Sequence, residues 1–139
     1  MKINAKIDYA CCALLELSLR WPNKTPLQIG EIAQRQNIPI KFLVHILIRL
    51  KEIGLVESVR GKKGGYVLSR SPQEISIAHI VQHLESDGIL GERKLKNKTV
   101  FPLIWQDLSK MIFEQMAQIN FEYVCKKSRQ MEKAINYEI

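Results

Sequence analysis

Gly54-Leu55-Val56-Glu57-Ser58-Val59-Arg60-Gly61-Lys62-Lys63-Gly64-Gly65-Tyr66-Val67-Leu68-Ser69 holds two short β-rich runs on either side of a basic, glycine-bearing tip. The spacing predicts a hairpin, strands near Leu55–Arg60 and Gly65–Ser69, with glycines free to take positive φ where the chain reverses. Gly54 stands where a left-handed cap should close a preceding helix. Arg60, Lys62 and Lys63 crowd the tip beside Gly61, Gly64 and Gly65. A hairpin needed only for packing has no use for that charge. Glycine there lets backbone approach a phosphate or enter a minor groove.

Upstream, the pattern turns helical. Asp8 to Arg20 carries apolar residues at helical spacing, with Asp8 as the expected cap and Pro22 as the stop. Thr25-Pro26-Leu27-Gln28 has the form of a capping box, so the second helix begins either there or at Ile29 and runs to about Gln36. Asn37-Ile38-Pro39 breaks it. A third helix over Ile40–Ile53 is expected to bury Ile40, Leu43, Leu47 and Leu50. Its opposite face then presents Lys41, Phe42, His45, Arg49 and Glu52, a face able to meet base edges in a major groove while the leucines pack. Phe42 either packs on a neighbouring helix or meets a thymine methyl. Val44 and Ile48 are expected to seal this helix to the second one.

Downstream, Ser76 should cap a fourth helix to Glu85 with Ile77, Ile80, Val81 and Leu84 inward. Residues 86–99 read as a loop. One long helix is expected from Pro102 to Met131, with Leu103, Ile104, Trp105, Leu108, Met111, Ile112, Phe113, Met116 and Ile119 around most of its circumference. A domain this small cannot cover such a helix alone, so a second copy of the chain should. Ile104, Trp105, Leu108, Met111, Ile112, Met116 and Ile119 are the expected dimerisation residues.

Charge follows the same division. The chain of 139 residues carries a net charge of +7. Residues 1–75 hold twelve Lys/Arg against six Asp/Glu, and residues 76–139 hold nine against eight. A basic segment suits a polyanion, because phosphate contacts release counterions, although a solvated basic face would look the same. The apolar fraction of 46% and charged fraction of 25% exclude wholesale disorder. No apolar run is long enough for a membrane span. No secretory h-region is evident, and three cysteines make no disulfide framework, so a reducing cytoplasm is expected. No nucleophile–base pair, phosphate-binding loop or paired carboxylate set points to an enzyme.

Together these elements make a winged helix-turn-helix, mainly α with a small β-hairpin wing. At this point the chain resembles the IscR/NsrR/CymR family of bacterial transcription regulators. The wing from Gly54 to Tyr66 carries the resemblance. So do Glu31-Ile32-Ala33-Gln34-Arg35-Gln36-Asn37-Ile38 at the helix-turn-helix entry, Lys6, Tyr9, Ala10, Leu14 and Leu15 near the start, and Trp105-Gln106-Asp107-Leu108. The likeness covers roughly residues 1–110.

The resemblance implies a DNA-binding domain over 1–85, a loop over 86–99 and a dimerisation helix with tail over 100–139. It implies a homodimer, often a repressor, on a pseudo-palindromic operator in double-stranded DNA. Recognition positions carried over are Lys41, Phe42 and His45, with Arg49 on the same face, and wing positions Arg60, Gly61, Lys62, Lys63, Gly64, Gly65 and Tyr66. The family wing commonly reads Gly-Pro-Gly-Gly-Gly-Tyr, and Lys62 and Lys63 here add charge instead.

Iron–sulfur members place three cysteines in the loop before the long helix. Residues 86–102 of this chain hold no cysteine and no histidine, so no cofactor or metal is expected. Cys11 and Cys12 diverge by about 100° on a helix. His79 and His83 share a helix face and could co-ligate zinc, but no third ligand is near in sequence. A different class remains open: a module whose winged domain docks a metabolic enzyme or another protein, with DNA secondary.

Overall fold

The computed structural model describes residues 2–138. Met1 and Ile139, the outer limits of the expected segments, lie outside them. The elements are α1 (Ala5–Leu19), α2 (Ile29–Gln36), α3 (Ile40–Glu52), β1 (Val56–Val59), β2 (Gly65–Leu68), α4 (Ile77–Leu84), α5 (Phe101–Ala117) and α6 (Phe121–Glu138), with short 3-10 turns before α4 and in the 86–99 loop. Among the described residues the only sheet is the antiparallel hairpin β1–β2.

α1 is the central helix, packed by α2, α3, α4 and α6. Ala10, Ala13 and Leu14 are wholly buried along it, and the small alanines let neighbouring helices approach closely. It begins one turn before the expected cap: Asn4 Oδ1 accepts the Lys6 amide at 2.8 Å. Asn4 caps as well as Asp8 would, and the earlier start carries Ile7 into the core. Gln36 Nε2 donates to Glu16 Oε1 at 2.6 Å, tying the end of α2 to α1 through a carboxylate that is itself buried.

Of the two expected openings for α2, the structure adopts Ile29. Thr25 makes no capping box. Its amide and hydroxyl both donate to Asn23 Oδ1, at 3.0 and 2.7 Å, and Leu27 extends instead. α4 is capped as expected at Ser76, and its third residue completes the cap: the Ser76 amide donates to His79 Nδ1 at 3.1 Å. That contact occupies Nδ1, one of the two ring nitrogens of His79.

The expected single helix over 102–131 is two helices. The chain turns at Gln118-Ile119-Asn120, where Asn120 Oδ1 accepts the Tyr123 amide at 2.9 Å and so caps α6. Two backbone bonds pin the turn to the start of α4. Phe121 N–H donates to the Ile75 carbonyl, and Ile77 N–H to the Ile119 carbonyl, each at 2.9 Å. Phe121 is thereby driven into the core and becomes wholly buried, a gain of about 1.5–3 kcal/mol over an exposed ring. Cys125, one turn on, is buried on the same side, so α6 returns along α1 rather than extending away from the domain.

Candidate nucleic-acid interface

The turn between α2 and α3 is built from Asn37, Ile38 and Pro39. Asn37 takes the left-handed conformation (φ 53°) and Ile38 N–H returns to the Ala33 carbonyl at 2.9 Å, so the end of α2 is satisfied locally. Ile38 is buried beneath the turn, and Pro39 opens α3 with its φ preset. This places the two helices at a fixed angle without help from a ligand.

Leu43, Ile46, Leu47 and Leu50 are the buried line of α3. At about 100° per residue, the centre of the opposite arc belongs to Lys41, Val44, His45, Ile48 and Glu52. Three expectations are corrected here. Ile40 is 52% exposed, because it sits before the first buried leucine and on the flank of that line. Val44 and Ile48 do not seal α3 to α2; they are 37% and 48% exposed on the outward arc.

Phe42 and Arg49 stand at the margin of that arc. The Phe42 ring stacks on Tyr9 of α1, with centroids 6.4 Å apart, and Lys41 Nζ lies 5.2 Å from its centre. Arg49 is held by Glu52 at 3.1 Å and by the His83 carbonyl at 3.4 Å, which ties α3 to the end of α4. Lys41 and His45 remain exposed near the N-terminal half of α3, the half that enters a groove in helix-turn-helix proteins.

The hairpin pairs Val56 with Leu68, Glu57 with Val67, Ser58 with Tyr66 and Val59 with Gly65. Gly64 N–H donates to the Gly61 carbonyl at 3.0 Å to close the tip, and Gly61 has φ 112°. Arg60, Lys62 and Lys63 are exposed. Among the described residues the ion pairs are Arg49–Glu52 and Lys94–Asp87, so no carboxylate neutralises the tip.

Sequence reasoning missed what fixes the wing. Leu27 pairs with Tyr66 through two reciprocal backbone bonds of 3.0 and 2.9 Å, adding a third extended segment to the hairpin. Gln28 Nε2 then donates to the Lys62 carbonyl at 3.2 Å. Gly65 is required by this join: at φ 150°, any Cβ would collide with the Leu27 carbonyl. On the far side, Lys51 Nζ reaches Ser58 Oγ at 2.8 Å, linking α3 to β1. Tyr66 is half-buried against the core and Gly64 is buried, so both shape the wing while Arg60, Gly61, Lys62 and Lys63 form its open surface. A single extended residue at Leu27, just ahead of a short helix, leaves no periodic signal.

A profile of the Rrf2 family, described as "Iron-dependent Transcriptional regulator", matches residues 3–127. The chain belongs to the Rrf2 family. Of its relatives, a putative HTH-type transcriptional regulator of Synechocystis is 42% identical over 85 residues, which is 61% of this chain and 57% of that relative. The match thus spans little more than half of that protein's length. Two solved Rrf2-type structures superpose on nearly the whole chain. IscR of T. potens is 28% identical with a TM-score of 0.78, covering 92% of this chain and 88% of its own. CymR, the global cysteine regulator of B. subtilis, is 26% identical with a TM-score of 0.77, covering 91% and 98%.

The iron in the family description calls for a cluster of donor side chains. Among the described residues no three of Cys, His, Asp and Glu gather into a group able to hold a metal ion. The 86–99 loop uses its carboxylates on itself: Glu92 accepts the Leu90 amide at 3.1 Å and Asp87 pairs with Lys94 at 3.0 Å. Burial disfavours the charged form of Glu92, but the nearby Ser109 hydroxyl, backbone amides including that of Leu90, and Arg93 hold its pKa below the usual glutamate value. Burial, with Cys12 and Asp8 adding, pushes the Cys11 thiol up to about 12. Burial also raises Cys12, where Asp8 adds to it, and Cys125, where Arg129 opposes it.

The α5 residues divide. Ile104, Leu108 and Met111 form one exposed row at spacings of four and three, with Phe101 at its head and stacked on Trp105 at 5.8 Å. Trp105 and Ile112 border the row, half-buried. Met116 packs on the chain's own core, and Ile119 is half-buried in the turn after α5, where its carbonyl accepts the Ile77 amide. No helix of the described residues is long and apolar enough to cross a membrane.

Proposed function

We propose that the chain is a sequence-specific, DNA-binding transcription regulator that works as a homodimer on a pseudo-palindromic operator, represses, and needs no iron–sulfur cluster. It acts in the cytoplasm and catalyses no reaction. The observation that carries this is the tying of the wing to both helices, to the start of α2 by Leu27–Tyr66 and Gln28–Lys62 and to α3 by Lys51–Ser58, with every exposed cation of the wing unneutralised. A rigid helix flanked by a charged hairpin supports simultaneous entry into a major groove and grip on the adjoining phosphates. Lys41 and His45 supply polar base contacts, Arg60, Lys62 and Lys63 the phosphate contacts, and Gly61 the close backbone approach.

The dimer follows from the exposed α5 row. A contiguous row of Phe101, Ile104, Leu108 and Met111 is an apolar patch that a soluble chain covers, and a two-fold copy brings the same row to itself. Division into a DNA-binding unit over 1–85, a connecting loop over 86–99 and a dimerising segment over 100–139 accommodates both roles.

The test is selection of bound duplexes from a randomised pool with the full chain. The expected winners contain inverted half-sites about one helical turn, ~34 Å, apart or a little more. Recovery of sequences no better than the starting pool would overturn the proposal. Repressor action is checked by placing the selected operator across a promoter and measuring transcript with and without the protein.

A further inference from the structure

The outward arc of α3 is not the polar surface an isolated helix would show. Ile40, Val44 and Ile48 lie at i, i+4 and i+8, one row about 12 Å long running beside Lys41 and His45. They are 52%, 37% and 48% exposed, so each keeps a large part of its side chain open. Single exposed apolar residues are ordinary; a row of three β-branched ones, climbing from the flank of the buried line at Ile40 to the outward arc at Ile48, is a contact surface.

The surroundings select the occupant. Arg60, Lys62 and Lys63 stand on the wing, whose β1 packs against α3, without carboxylate partners, Lys41 lies beside the row, and the acid on this arc, Glu52, is bonded to Arg49. An apolar row set among unneutralised cations matches a polyanion that carries apolar groups. In a duplex major groove the apolar group on a base edge is the thymine 5-methyl. Valine and isoleucine have nearly fixed χ1, so little side-chain freedom is lost when the row docks. Four residues of helix rise cover about 6 Å, close to two base steps of 3.4 Å.

We propose that Val44 and Ile48 read thymine methyls spaced about two steps apart in each operator half-site, with Ile40 closing the end of the row. This rests on the DNA-binding function proposed above and adds the base chemistry it selects. Specificity then comes from shape at these positions and from hydrogen bonding at Lys41 and His45.

The experiment replaces thymine by uracil, one position at a time, in a duplex selected by the full chain. Uracil keeps every Watson–Crick and groove hydrogen-bonding group and deletes only the methyl. At two positions per half-site, affinity should fall about fourfold for each methyl group deleted. For Val44→Ala and Ile48→Ala, operator binding should be weaker and one uracil position each should cost nothing further, as expected when both partners in an interaction have been removed. Operator binding that is tight and indifferent to uracil at every position overturns the methyl contact alone and leaves the DNA-binding function standing. Failure to select any duplex above the random pool overturns both.

Discussion

Two exposed apolar helix faces, on α3 and α5, differ in their electrical setting. The α3 row sits within residues 1–75, which carry twelve basic against six acidic residues, beside a wing tip that no carboxylate neutralises. The α5 row belongs to residues 76–139, nine against eight, and is headed by a stacked Phe101–Trp105 pair. Hydropathy alone would rank them alike. Their fields separate them: an apolar row among unneutralised cations suits a groove of phosphates and methyls, whereas an apolar row on a near-neutral surface suits another apolar row.

Substitution on α5 should have the largest effect. Leu108→Asp would place an unpaired carboxylate in the proposed two-fold contact, at about 3–5 kcal/mol for each copy. Sedimentation should show a folded monomer at micromolar concentration. A persisting dimer would break the assignment of that face.

Next is the join that holds the wing. Gly65→Ala must either collide with the Leu27 carbonyl or open the pairing, a cost of roughly 1–3 kcal/mol. Both the melting temperature and duplex affinity should fall, because α2 and the wing would no longer move as one. An unchanged melting temperature would mean that the Leu27–Tyr66 pairing adds nothing to stability.

A smaller and more selective effect is expected at the tip. Lys62→Ala with Lys63→Ala should weaken operator and random duplexes alike and flatten the plot of log affinity against log salt by about 1.8, or 0.9 for each phosphate no longer neutralised. His45→Ala should instead weaken the operator by about 1–3 kcal/mol and leave random DNA nearly untouched. Equal losses on both duplexes would remove the distinction drawn between helix and wing.

The cysteines supply the mildest test. Cys11 titrates near 12 in the fold against an ordinary 9.0, so above pH 9 the folded chain keeps a proton that the unfolded chain has lost. Its contribution to stability is therefore complete below pH 9 and is lost as the pH rises from 9 to 12. The urea midpoint should decline over that window, and less steeply in Cys11→Ala. Alkylation of native protein at neutral pH should be slow at Cys11, Cys12 and Cys125 alike.

Much of this molecule was legible in its residues because the governing interactions are short. The αL cap at Gly54, the hairpin around Gly61, the Ser76 cap and the buried leucines of α3 each follow from residues within one turn or one reversal of one another. The wing's cations needed no structure to be noticed. The Asn120 cap was also within reach, an asparagine followed by an aromatic and a glutamate in mid-pattern, but the unbroken apolar spacing on both sides outweighed it.

What the chain alone determined, then, is the order and kind of its elements from α1 to α5 and the place of its charge. These rest on capping, period and glycine conformations that act over a few residues. Tertiary contact decided the rest. Leu27 is extended because Tyr66, thirty-nine positions away, offers it backbone partners. α6 turns back at Asn120 because Ile75 and Ile77 bind the turn and the core has room for Phe121. Val44 and Ile48 face outward because the leucines and Ile46 already fill the inner arc, and helical spacing alone does not say which of two apolar lines the core will take. Burial is allotted among competing residues by the whole fold, so pattern could place the leucine line inward but only packing could leave Ile40, Val44 and Ile48 outside it.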